Sequence, residues 1–159
     1  MNKRILLTAF RGSSAEVLLK GAKGSSILLL PNDKVEDSRM LIPMISSGKF
    51  DYVFSIGQRP NIKNKVHIET TARSSDISII TGYDCQRLVN TFQQNGICAR
   101  LSHNAGTSFC NQLYLKGLCY LAQSGLDTQM VFIHIPYLKN IDDLESFRKS
   151  FLNAVQEGV

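Results

Sequence analysis

The chain has 159 residues, 43% of them hydrophobic, with a formal net charge of +5 and a pI of about 9.1; this suits one domain over residues 1–159 with one substantial core, and no apolar run approaches the ~20 residues a membrane span needs. The basic residues are scattered (Lys3 and Arg4, Lys20, Lys23, Lys63, Lys65, Arg148 and Lys149) and never form a block, which argues against nucleic acid as a partner. Cys85, Cys98, Cys110 and Cys119 form no CxxC pair and no His/Cys ligand spacing, and no signal-peptide pattern surrounds residues 5–10, so the expectation is a cytoplasmic protein with free thiols, no metal and no cofactor.

Residues 4–10 are a short apolar run suited to a strand buried on both faces, and Arg11-Gly12-Ser13-Ser14 is a turn leading into a short helix at 14–20. A second buried strand spans 26–30. Residues 35–48 carry helical spacing at Leu41, Met44 and Ile45, with Pro43 marking a break, a kink or a helix start. A third strand covers 52–56 and ends at Gly57-Gln58, after which 58–65 reads as loop. Residues 66–71 and 77–80 read as strands. Thr81 and Asp84 resemble a capping arrangement for a helix whose core face is Cys85, Leu88, Val89 and Phe92, ended by Gly96. A strand at 97–101, a helix at 111–124, an almost uninterrupted apolar strand at 130–135 and a last helix complete the chain. Asn140 is the expected cap of that helix, with Leu144, Phe147, Phe151 and Val155 on its core face. Strands alternating with helices predict a three-layer α/β/α fold with a central, largely parallel (mixed) sheet.

The chemistry concentrates in two stretches. In the first, residues 102–111, a strand ends, a glycine turn follows, and Cys110 opens a helix; there the unsatisfied backbone N–H groups and the helix dipole favour a thiolate. In the second, residues 132–138, His134 lies inside a buried strand. If the strands at 97–101 and 130–135 are joined as a parallel βαβ unit, Cys110 and His134 reach the same sheet edge, where open α/β sheets place ligands. Taken singly, a strand histidine is ordinary core and a buried cysteine is inert packing. As a pair they are the base and nucleophile of a cysteine hydrolase. Cys85, Cys98 and Cys119 read as packing.

The Ala105-Gly106-Thr107-x-x-Cys110-Asn111 run, followed by Phe132-Ile133-His134-Ile135-Pro136-Tyr137-Leu138, resembles the nucleophile and histidine segments of the pyroglutamyl peptidase I (pyrrolidone-carboxylate peptidase) family. The resemblance covers most of the chain, with a shortened middle. It implies a Glu/Cys/His triad of Glu69, Cys110 and His134, because Glu69-Thr70-Thr71-Ala72 follows Gly57-Gln58 as the family's Glu-x-x-Ala segment follows its Gly-Gln pair. The alternative for Glu69 is a solvent-facing glutamate on an edge strand, and His67, two residues earlier, reads as a surface histidine. The resemblance further implies substrate contacts from Phe10, Gln58 and Phe109, and a site arginine for which Arg73 is the nearest match.

On this resemblance the chain is expected to be a thiol peptidase that removes an N-terminal pyroglutamyl residue or cleaves a related small amide through a thioester. Its partners would be a peptide or small-amide substrate and, as in relatives, further copies of itself, with no nucleic acid and no membrane. The departures lie in the pocket. Ala9-Phe10-Arg11-Gly12-Ser13 keeps one phenylalanine of the family's Gly-Phe-x-Pro-Phe-Gly motif and loses its Pro-Phe. Ser108 stands where an aromatic is usual, and the segment between Ala72 and Thr81 replaces a longer one. These losses motivate the other reading, a catalytically inactive or repurposed binding protein on the same fold.

Overall fold

The structure is a computed structural model that describes residues 2–159. Its strands and helices follow the predicted order, except that the strand expected at 66–71 breaks at Thr70 into two strands of different sheets: β1 (Ile5–Phe10), α1 (Ser14–Leu19), β2 (Ser26–Leu30), α2 (Glu36–Ser46), β3 (Tyr52–Arg59), β4 (Lys65–Glu69), β5 (Thr71–Arg73), β6 (Ser78–Ile80), α3 (Cys85–Gln94), β7 (Cys98–Ser102), α4 (Phe109–Ser124), β8 (Gln129–Pro136) and α5 (Leu144–Glu157). Six strands make one sheet in the order β2-β1-β3-β8-β4-β7, and β5 and β6 form a separate antiparallel pair. One face of the sheet packs Leu7, Phe54, Ile68, Ile133 and Ile135 against α1, α3 and α5. The other packs Leu6, Val53, Met130 and Phe132 against α2 and α4. This is the expected three-layer, mostly parallel architecture. Among the described residues no helix is long and apolar enough to cross a membrane.

Strand direction departs from expectation at the site. β4 runs antiparallel to β8 and parallel to β7, so β7 and β8 are neither neighbours nor parallel. The cause is the short 60–64 connection: it reverses the chain, and a parallel return would need a crossover of a dozen or more residues. Asn61 and Asn64 take positive φ (64° and 49°) in that reversal, a conformation asparagine tolerates. β8 then inserts between β3 and β4. Cys110 reaches the His134 end of β8 by another route than a βαβ crossover. β7 ends with Ser102 in register with Glu69, itself opposite Phe132, and residues 103–108 carry the chain across to the start of α4.

Other differences are local. β3 continues to Arg59 because β8 pairs with it all the way, Gly57 with His134 and Arg59 with Pro136. Pro43 lies within α2 without ending it. Asp84 caps α3, its carboxylate accepting from Arg87 N at 3.0 Å, whereas the Thr81 hydroxyl donates to Met130 O. Cys98 is exposed on the edge strand, so it is not packing; Cys85 is buried. The cap of α5 is Asp143, whose Oδ1 accepts from Ser146 N at 3.1 Å; Asn140 belongs to a preceding 3₁₀ turn. Phe147, Phe151 and Val155 are buried as predicted. Asp143→Ala is therefore expected to lower the unfolding free energy by about 1 kcal/mol, and Asn140→Ala by less than about 0.5 kcal/mol, in urea titrations; equal losses would contradict the cap assignment.

Candidate active site

The site lies on the α2/α4 face of the sheet. In β4, His67 and Glu69 point to the same side, two residues apart. The antiparallel register sets His67 opposite His134 and Glu69 opposite Phe132. Glu69 is 0% exposed and His134 is 4% exposed. Their side chains meet, Nδ1 of His134 lying 2.8 Å from Oε1 of Glu69. The edge-strand, solvent-facing alternative for Glu69 is thus excluded, since β7 covers β4 on its outer side. An imidazole whose Nδ1–H donates to a carboxylate presents Nε2 as its free base. The His134 ring also rests on Phe132, with centroids 5.0 Å apart, which limits its rotation.

Cys110 is the second residue of α4. Its sulfur sits over Gly57, the residue of β3 in register with His134. A Cβ added at Gly57 would lie 2.6 Å from Sγ and 2.9 Å from the Phe132 ring. Adjacent strands are about 4.8 Å apart, so the sulfur and the imidazole occupy neighbouring positions on one face. Among the described residues no hydrogen bond joins them; the side-chain hydrogen bond of His134 runs to Glu69. The electrostatics differ from the sequence expectation. Burial pushes the Cys110 thiol up to about 12, and the Glu69 carboxylate adds to this, while the Cys110 backbone N–H and Arg59 oppose it. Desolvation outweighs the helix terminus here, so the resting group is a thiol.

Two contacts brace α4 against the strands. The Tyr114 hydroxyl, one turn after Cys110, donates to Glu69 O at 2.8 Å. The Asn111 amide clamps Arg73, accepting from its N–H at 3.0 Å and donating to its carbonyl at 2.7 Å. Helical spacing does not single out Tyr114, and in the sequence Asn111 stands only as the last residue of the run that holds Cys110.

A pocket of about 270 Å³ opens beside the sulfur. It brings together Phe10, Gln58, Phe109 and Cys110, all named from sequence, and adds Arg11, Ser13 and Tyr137. Gln58 is fixed by Ser14 N, which donates to its Oε1 at 2.9 Å, so its NH₂ group is left to donate. Arg73 is not among the lining residues; its guanidinium donates to His103 O at 2.6 Å. The arginine at the carboxylate is Arg59, with Nη1 3.0 Å from Glu69 Oε1. It was missed because β3 was ended too early, though the alternation of Ser55, Gly57 and Arg59 would have put it on the site face. Among the described residues no group of three or more His, Cys, Asp or Glu side chains is placed to hold a metal ion.

His67 is 2% exposed, not a surface residue. It lies between two arginines: Arg100 Nε donates to Nε2 at 2.9 Å, and Arg59 Nη1 is 3.3 Å from Nδ1. A neutral imidazole accepting at Nε2 carries its proton on Nδ1, so the Arg59 approach is a contact between donors rather than a hydrogen bond. Burial, then Arg100 and Arg59, lower the His67 pKa from 6.5 to about 4. At pH 7 it is neutral whether the chain is folded or not. Between pH 6.5 and 4 the unfolded chain takes up a proton that the folded one refuses, so stability falls across that window, by about 3 kcal/mol in total at most. Acid titration of unfolding is expected to show a shallower slope from pH 6.5 to 4 in His67→Gln than in the parent; parallel curves would contradict a buried neutral His67. Gly57→Ala is expected to displace the sulfur and slow alkylation of Cys110 at least roughly tenfold at pH 8, since the ring and the sulfur cannot both give way in a packed core; an unchanged rate would contradict the packing.

Comparison with known proteins bears on the same residues. A family model described as pyroglutamyl peptidase matches residues 61–151, which include Glu69, Cys110 and His134. The pyrrolidone-carboxylate peptidase of Brevibacillus brevis is 40% identical over 62 residues, covering 36% of this chain and 29% of that protein. That of Thermococcus litoralis is 38% identical over 50 residues, 31% of this chain and 23% of that protein. The matched stretch thus spans less than a third of these relatives' length. In fold, the chain superimposes on the crystal structure of pyroglutamyl peptidase I from Bacillus amyloliquefaciens with a TM-score of 0.84 and 22% identity, over 100% of this chain and 96% of that one. With pyrrolidone carboxyl peptidase from Thermococcus litoralis the TM-score is 0.79 at 21% identity, over 96% of this chain and 91% of that one. Since the family model spans more than half of the 159 residues, and the α/β/α architecture is that of solved members, the chain belongs to the pyroglutamyl peptidase family.

Proposed function

We propose that the chain is a cysteine-dependent omega-peptidase, a single hydrolytic domain that removes an N-terminal pyroglutamyl residue from a peptide or cleaves a related small amide. The observation that carries this is the Glu69–His134 contact of 2.8 Å with the Cys110 sulfur seated over Gly57, the strand partner of His134. In this reading Nε2 of His134 takes the Cys110 proton as sulfur attacks the amide carbonyl carbon, so thiolate and imidazolium form together and no resting thiolate is needed. The backbone N–H groups at the start of α4, that of Cys110 among them, face the developing oxyanion. The imidazolium returns its proton to the leaving amine as the C–N bond breaks, leaving a thioester. Water, deprotonated by His134, then attacks the thioester; the acid leaves and the proton goes back to sulfur. Glu69 orients the ring and balances its charge throughout. Phe10 and Phe109 supply apolar walls for a small ring, and the Gln58 amide supplies a donor for a lactam carbonyl.

The pocket favours a second reading in one respect. Arg11 lines it, and Ser108 stands near the nucleophile where an aromatic wall would hold a planar lactam by burying 150–250 Å² in typical cases. A binding protein that retains the fold would bind an acyl amide without turning it over. Release of the amine from a panel of N-terminally blocked amide reporters, pyroglutamyl included, separates the two. Hydrolysis is expected in the parent, with a loss of roughly a thousandfold or more in Cys110→Ala and roughly a hundredfold in Glu69→Gln. Binding without hydrolysis across the panel would favour the second reading, and equal hydrolysis by Cys110→Ala would reject the first.

A further inference from the structure

We infer that Arg59 is a positioning residue of this site: by pairing with Glu69 it keeps the buried carboxylate ionised and offsets its charge, so that the neighbouring sulfur can be ionised. The inference rests on the reading of Cys110 and His134 given above.

Glu69 is 0% exposed, and the groups on its Oε1 are His134 Nδ1 at 2.8 Å and Arg59 Nη1 at 3.0 Å. Its other oxygen, Oε2, is buried and has no hydrogen-bond partner. Both donors converge on one oxygen, so the rotamer of the carboxylate, and with it the tilt of the imidazole, depends on two contacts and not one. Arg59 reaches this position because β3 extends past Gly57, and its own side chain is 28% exposed, which leaves its charge partly hydrated. It also lies 3.4 Å from Ser102 Oγ on β7, so a single guanidinium links β3 to β4 and β7 across β8.

The charges facing the sulfur come from several elements. Glu69 on β4 and Asp37 on α2 disfavour a thiolate, and Arg59 on β3 favours it. His67, held neutral beside Arg59 and Arg100, adds no charge at neutral pH. The reaction needs an anionic sulfur near an anionic carboxylate that is itself shut off from water. Without Arg59 the only charged group left on Glu69 among the described residues is His134, as its imidazolium. A histidine held as imidazolium cannot accept the thiol proton. The other outcome, protonation of Glu69, leaves His134 without its acceptor. Arg59 removes this choice by supplying a cation that does not take part in proton transfer, as guanidinium stays protonated at any pH of interest.

The test reads the sulfur directly, without substrate, so that it stands whether or not a hydrolysable amide is found. Iodoacetamide labelling of the Cys110 peptide is followed by mass spectrometry from pH 5 to 10 in the parent, Arg59→Gln and Arg59→Lys. An opposite charge within about 4–6 Å shifts a group by one to three pH units, and the Arg59 guanidinium lies 3.0 Å from the Glu69 carboxylate. Expected for Arg59→Gln is labelling roughly tenfold slower at each pH across this range, with Arg59→Lys lying closer to the parent. The acid limb of kcat/KM on any turned-over amide is expected to move to higher pH. A curve for Arg59→Gln that coincides with the parent, whatever its melting temperature, overturns the inference, as does a lysine variant indistinguishable from glutamine. Should Arg59→Gln fail to fold, Glu69→Gln and the Arg59→Gln/Glu69→Gln double variant carry the test, because neither leaves a buried carboxylate unmatched. With the carboxylate gone, the double variant is expected to fold and to label at the rate of Glu69→Gln alone; a double variant that fails to fold as well, or that labels roughly tenfold more slowly than Glu69→Gln, overturns the inference. Failure of the peptidase reading looks different: normal labelling shifts with no amide hydrolysed.

Discussion

A carboxylate with no solvent exposure, set in the interior of a β-sheet, has to be answered by positive charge or proton donors close at hand. Glu69 is that carboxylate, and much of the neighbourhood is explicable as the answer to it: His134 Nδ1 and Arg59 Nη1 on its oxygen, and the Tyr114 hydroxyl on its backbone carbonyl. Burying an unpaired carboxylate costs several kcal/mol even after relaxation. The arrangement therefore cannot be optional for the fold. It recruits groups from β3, β8 and α4, and it is possible only because β4 is reversed against β8, which turns His67 and Glu69 toward His134 and Phe132.

Cys110 is held by the same structure. α4 carries Cys110, and within its next turn Asn111 and Tyr114 attach the helix to the backbone of β5 and β4. The sulfur lies in a recess made by the missing side chain of Gly57 and the edge of Phe132. His134, Glu69 and Cys110 are thus located by main-chain register and short side-chain contacts, whereas the pocket walls come from turns, from residues 11–13 and 108. Family membership and an altered pocket are compatible for this reason: loops can change without disturbing the register that aligns the three groups.

Much of the fold was legible because buried strands of five to eight apolar residues and amphipathic helices leave clear periodicities, as in α3 with Cys85, Leu88, Val89 and Phe92. What periodicity does not encode is strand direction. Nothing in residues 65–69 says that they run against β8; that follows from a five-residue connection and from which strand fills the gap. Cys110 and His134 consequently share one end of the sheet as predicted, while the premise of that placement, a parallel βαβ unit, does not hold. Arg59 and the buried state of His67 were hidden for related reasons, the first by ending β3 at its glycine, the second by reading a polar strand as an edge when β7 covers it. The cap of α5 was misread because Asn140 and Asp143 are both good caps, and only the 3₁₀ turn between them decides.

The raised thiol has a consequence for the life of the protein between encounters with substrate. Burial that pushes the Cys110 thiol up keeps the sulfur largely protonated at neutral pH. Peroxides attack the anion, so the sulfur is poorly available for conversion to sulfenic or sulfinic acid. The other cysteines are also free, and Cys98 is the exposed one, on the outer edge of the sheet. Oxidative damage would accordingly fall first on a thiol remote from the pocket, leaving Cys110 reduced without any protecting disulfide.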